Sequence, residues 1–147
     1  MLIKFLINIC VAIVLTYILA HNIPIMPHGD ILTAAGVIST VSGILFGFVL
    51  ATISIFSSAS GNSDGIIKAL KKNNILPGMI TRLLVTGATL IAACILSLLS
   101  MFVSEHVVIR GVKIEFILIV GGLALLVISI ASFIFTWRKI NWILPHI

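Results

Sequence analysis

Four long apolar runs constrain this chain more than any other feature. Leu2 to Ala20 is broken only by Lys4, Asn8 and Thr16, and Ile31 to Ala59 holds no charged residue. Met79 to Val103 and Ile114 to Trp137 carry one charge each, Arg82 and Glu115. A helix of roughly 20 apolar residues crosses a hydrocarbon core of ~30 Å, and each run is long enough. The second exceeds a perpendicular crossing, so it should tilt or project past the headgroups. Backbone groups in lipid must be satisfied internally, and continuous runs do not show the alternation of barrel strands. The expected fold is therefore an all-α membrane protein with four transmembrane helices over about 2–20, 31–59, 79–103 and 114–137, in a single transmembrane domain spanning 1–147.

Composition agrees with this reading. The chain is 61% hydrophobic and 9% charged, with a mean hydropathy of +1.33, whereas a soluble domain is ~25% charged. With the spans assigned, no stretch remains for a separate soluble domain of ~50 residues. Activity must come from the helices, their short loops or a partner. The first run has a rival reading, since Lys4 before an apolar stretch also opens a signal peptide. Cleavage after Ala20 would require a small residue where Ile18 stands.

Lys and Arg placement sets the direction of insertion. Lys4, Lys68, Lys71, Lys72, Arg82, Arg138 and Lys139 gather on one side, while the opposite loops hold only Arg110 and Lys113. Both termini are accordingly expected in the cytoplasm, with the protein multi-pass in a bacterial inner membrane. Trp137 and Trp142 near the inner boundary and Tyr17 near the outer one suit an aromatic belt. The net charge of +5 reflects that positive-inside bias and contact with anionic headgroups, or else a soluble anionic ligand.

The cytoplasmic loop, residues 60–78, changes character along its length. Ser57, Ser58, Ser60, Gly61, Asn62 and Ser63 read as a flexible exit from the second span. Ser63 or Asp64 can cap a short helix over Gly65 to Asn73, and Pro77-Gly78 is expected to turn the chain into the third span. Ile66, Ile67 and Leu70 share one side of that short helix and Lys68, Lys71 and Lys72 take the rest, the pattern of an interfacial helix on the inner leaflet. Lys68, Lys71, Lys72 and Arg82 are the candidate contacts for lipid or for an anionic regulator, whether nucleotide, oligonucleotide or protein.

Within the second span Ala35, Ser39, Gly43, Gly47 and Ala51 recur at every fourth residue, with a GxxxG pair at Gly43 and Gly47. Small residues at this spacing let helix backbones approach closely. The partner is either another helix of the same chain or the same helix of a second copy. Thr40, Ser42, Ser54, Thr89 and Ser97 are candidates to line a narrow aqueous path, or to bond back to their own helices. Phe46, beside Gly47, is a candidate hydrophobic gate or a packing residue, and Asn8 is an expected interhelical hydrogen-bond partner.

The absent features are equally informative. No Asp, Glu, Lys or Arg lies mid-span, where coupled transporters place ionisable groups. The glutamate in the first helix of small multidrug exporters has no counterpart, nor has the glycine-rich, arginine-bearing motif of the fluoride channels. Cys10 and Cys94 lie in separate spans and read as small hydrophobes. His21, His28 and Asp30 share one outer loop, but their irregular spacing around Pro24 and Pro27 reads as a connector rather than a metal site. Glu105 and Glu115 are expected to balance Arg110 and Lys113. No catalytic constellation, metal site or cofactor is expected.

The order of these parts resembles small bacterial and phage membrane proteins of exclusion and anti-phage defence. It looks most like the RexB-type exclusion proteins: a first span, an outer loop with Ile23-Pro24 and His28-Gly29-Asp30, a small-residue-rich second span ending in Ser57 and Ser58, a basic inner loop and two closing spans. In size and plan it is also similar to Hailong-type channel effectors of nucleotide-signalling defence. The likeness is one of architecture and transfers no site residue. It implies a non-enzymatic homo-oligomeric pore that disrupts the inner membrane in abortive infection, gated from its cytoplasmic side. A phage holin and a non-conducting anchor or regulatory subunit are the other classes compatible with the sequence.

Overall fold

The computed structural model describes residues 2–59, 75–104, 107–109 and 112–143. The chain runs through α1 (Leu2–Asn22), α2 (His28–Ala59), α3 (Ile75–Phe102), a two-stranded hairpin of β1 (Val108–Ile109) and β2 (Val112–Lys113), and α4 (Ile114–Ile143). All four helices are long and apolar enough to span a membrane. The short helix expected over Gly65 to Asn73, with Lys68, Lys71 and Lys72, lies outside the described residues.

Local chemistry explains the boundaries. The α1 helix ends where the Ile23 N–H reaches the Leu19 carbonyl and Pro24 follows. At the start of α2 the Pro27 carbonyl accepts N–H bonds from Asp30 and Ile31, and Asp30 in the first turn complements the helix dipole. The turn expected at Pro77-Gly78 is instead the first turn of α3. A proline fits there because the first four helical N–H groups lack intrahelical acceptors, and the Pro77 carbonyl accepts the Thr81 hydroxyl at 2.8 Å. The loop before α4 holds an unanticipated hairpin pairing Val108 with Lys113 and Ile109 with Val112. Two-residue strands are too short to leave a period-2 pattern in sequence.

The α3 helix is central, packed along both α2 and α4, while α1 rests mainly on α4 and touches α3 little. The buried cluster draws Ile31, Ala35, Ile38 and Val49 from α2, Leu83, Leu90 and Ala93 from α3, and Phe116, Ile119, Val120 and Leu125 from α4. Only Ala12 joins it from the described part of α1. Large apolar side chains such as Ile3, Val14, Ile44, Phe102 and Phe135 point outward, as they do when the surroundings are lipid rather than water.

Two glycines allow the close approaches. A Cβ at Gly122 of α4 would stand 2.6 Å from Ser97 Oγ and 3.3 Å from the Ala93 carbonyl oxygen of α3. At Gly87 of α3 a Cβ would meet Phe46 and Val49 of α2 at 3.5 Å, ordinary contact. The α3–α4 seam is therefore the tight one, and it has no room for a side chain at Gly122.

Candidate functional site

The every-fourth-residue stripe of α2 does not stay on one face. Four residues at 3.6 per turn advance about 40° beyond a full turn, so five members walk roughly halfway round the helix. Ala35 is fully buried, and Ser39 reaches Cys94 of α3 at 3.4 Å. Gly43, Gly47 and Ala51 have rotated to the exposed side, where a Cβ on either glycine would meet nothing within 4 Å. Packing within the chain instead follows Ile31, Ala35, Ile38, Ser42 and Val49, whose spacing keeps step with the helix.

The opposite side of α2 shows a pattern that the four-residue reading missed. Gly36, Thr40, Gly43, Gly47, Ala51, Ser54 and Ser58 follow one another by three or four residues and so form one continuous face. Every member is small or carries a hydroxyl. From Thr40 onward all are exposed, and Gly36 is half-exposed with open space around it. A search at a period of 3.6 rather than 4 finds this face in the sequence.

The hydroxyl candidates separate between the two sides. Thr40 is exposed and bonds back to the Gly36 carbonyl at 2.8 Å, and the exposed Ser54 offers its carbonyl to Ser58. Thr89 is buried, bonded to the Thr86 carbonyl and across the seam to Ser129 of α4 at 2.7 Å. Ser42 and Ser97 are buried with hydroxyls that find no partner among the described residues. The outward Thr40 and Ser54 thus do not share a wall with Ser42, Thr89 and Ser97, which lie within the helix packing of the single chain. Phe46 packs over Gly87, and its neighbour Phe48 meets Phe133 edge-on at 5.7 Å. Asn8 lines a recess with Arg82.

At the end of the bundle where α2 and α4 begin, the structure joins residues that the sequence left apart. Glu115 in the first turn of α4 is fully buried, and its Oε2 lies 2.6 Å from His28 Nδ1. Lys113 Nζ stands 3.6 Å from Oε1, which has no hydrogen bond among the described residues. The expected balance of Glu115 by Lys113 is present, but His28 is the nearer partner. This contact ties the first residue of α2 to the hairpin and to α4. Sequence could not pair positions 87 residues apart, since neither motif nor periodicity links them. Among the described residues no group of three or more His, Cys, Asp and Glu is placed to hold a metal ion.

The chain matches no protein-family model, no curated protein and no solved structure. Its function must be read from the geometry above.

Proposed function

We propose that the protein is a homo-oligomeric pore of the bacterial inner membrane, with both termini cytoplasmic, that disrupts the membrane as an effector of anti-phage abortive infection. The supporting observation is the outward face of α2. Gly36, Thr40, Gly43, Gly47, Ala51, Ser54 and Ser58 are open in the single chain, and such a face gives lipid little apolar area. In a membrane, helices associate through close packing and interhelical hydrogen bonds rather than hydrophobic force. The glycines suit approach by a second copy, and Thr40, Ser54 and Ser58 supply hydroxyls to a passage between copies. The proposed control element is the basic loop with Lys68, Lys71 and Lys72, as an interfacial helix that meets an anionic signal. The chain performs no covalent chemistry of its own in this reading, and the whole-chain resemblance to exclusion proteins and channel effectors supplies the biological setting.

Purified protein in a planar bilayer tests the proposal. Reproducible conductance that disappears in Gly43→Leu and Gly47→Leu is the expected result. Silence at every protein-to-lipid ratio would overturn the pore and leave an anchor or regulatory subunit. Late, timed lysis encoded beside lysis functions would point to a holin instead.

A further inference from the structure

A recess of about 330 Å³ lies between α1, α3 and α4 at the end of the bundle where α1 begins, lined in part by Asn8, Arg82, Thr86 and Thr136. Arg82 is exposed, and among the described residues no carboxylate pairs with it. Nor, among the described residues, is there an acidic side chain in the recess lining. Beyond it, an apolar groove of about 880 Å³ runs between the same three helices, with Ala92, Leu96 and Gly121 among its walls.

On α3 and α4 the linings of the two spaces follow one another along one face of each helix. On α3 the lining passes from Arg82 and Thr86 to Thr89, Ala92 and Leu96, in steps of three or four residues. From Arg82 to Leu96 the helix rises about 21 Å, more than half of a ~30 Å hydrocarbon core. The groove exists because α1 rests on α4 and barely touches α3.

We infer that this slot binds one anionic phospholipid, its phosphate on Arg82 and one acyl chain along the groove. A guanidinium engages phosphate through paired charge-assisted hydrogen bonds, and the Asn8 carboxamide offers further donors. Among the described residues the lining holds no carboxylate to pair with a choline or ethanolamine cation, so an anionic headgroup is preferred. A soluble phosphate would satisfy Arg82 equally but leave the groove empty, and the alignment of groove with recess along α3 and α4 selects the lipid. The site needs membrane insertion and not conduction; only its assignment to the inner leaflet rests on the proposed orientation.

The test uses the full chain in detergent, with native mass spectrometry and photo-crosslinking by phosphatidylglycerol carrying an acyl-chain diazirine. One dioleoylphosphatidylglycerol per protomer should be retained, in preference to dioleoylphosphatidylcholine, and glycerol phosphate should not displace it. Crosslinks should fall on 89–96 of α3 and 118–125 of α4. Arg82→Gln should weaken retention about tenfold, the loss of one charge-assisted contact. Ala92→Phe, which fills the groove, should remove the crosslinks while the thermal transition stays in place. Equal retention of both lipids, full competition by glycerol phosphate, unchanged binding by Arg82→Gln, or labelling spread evenly over the outward faces would each overturn the site. None of these readouts is a current, so a protein that never conducts still decides the question.

Discussion

Gly122 and the pair Gly43 and Gly47 look alike as small residues in apolar helices, yet the structure uses them in opposite ways. At Gly122 the neighbouring helix occupies the space that a side chain would need, with Ser97 Oγ 2.6 Å from the Cβ position. At Gly43 and Gly47 that space is open. The first glycine belongs to the fold of one chain. The other two are spare within it, and spare small residues on a membrane helix are available to another molecule. A GxxxG pair alone therefore reports a capacity for close approach, and only the tertiary packing reveals whether the chain itself has used it.

The largest effect should come from filling the occupied site. Gly122→Leu overpacks the α3–α4 seam, and overpacking costs typically 1–3 kcal/mol and occasionally more. A lowered thermal transition in detergent, with weaker retention of monomeric fold, is expected. An unchanged transition would mean that this seam is looser than its geometry.

His28→Ala comes next. It removes the nearer partner of a fully buried carboxylate, and an abandoned buried acceptor costs about 1–3 kcal/mol. The loss should appear as faster proteolysis or amide exchange at the start of α2, while exchange near Gly43 stays as it was. A matching change at Gly43 would show that the start and the middle of α2 are not independent.

Across the filled seam, a double-mutant cycle on Thr89→Ala and Ser129→Ala should give a coupling of about 0.6 kcal/mol, the usual size for an interhelical hydrogen bond in a membrane protein. The hydroxyl oxygens lie 2.7 Å apart, but each also lies within reach of a carbonyl of its own helix, and their two protons are shared among the three contacts. In each single variant the remaining hydroxyl donates to its own helix carbonyl, which keeps the coupling small. Coupling near zero would remove the hydroxyl contact from the account of why this seam is tight.

The smallest effect on the fold should come from the open site. A Cβ at Gly43 or Gly47 meets no neighbour among the described residues, so in Gly43→Leu and Gly47→Leu the monomer should change by no more than about 0.5 kcal/mol. Subunit counting in detergent should nonetheless show smaller assemblies. A destabilised monomer would place these glycines inside the fold after all, and an unaltered subunit count would remove the second copy from the interface.

Helix type and position were legible because lipid imposes a simple rule. A run of apolar residues about 20 long has few alternatives once backbone groups must pair internally; α1 and α2 start and stop within about three residues of the runs from Leu2 and Ile31, while α4 starts at Ile114 as expected and continues past Trp137 to Ile143. Pro77 misled because proline signals a turn as readily as a first helical turn, and the choice depends on the chain before it. The hydroxyls were ambiguous for a different reason. Thr40, Thr52 and Thr136 bond to the carbonyl four residues back, a bond available to any helical threonine, so their presence alone does not predict water.

What the sequence determined by itself is the membrane class, the number of spans and the residues small enough to let helices meet. These follow from hydrophobicity and side-chain size, which are local properties. The tertiary structure decided which side of α2 is used within the chain, that Gly122 rather than Gly43 carries the close contact, and that the part-exposed His28 meets the buried Glu115. It also decided that α1 stands away from α3, leaving a slot with Arg82 at its mouth. Those outcomes depend on the rotation of each helix about its axis and on which neighbours it meets, and residues far apart in the chain set them together.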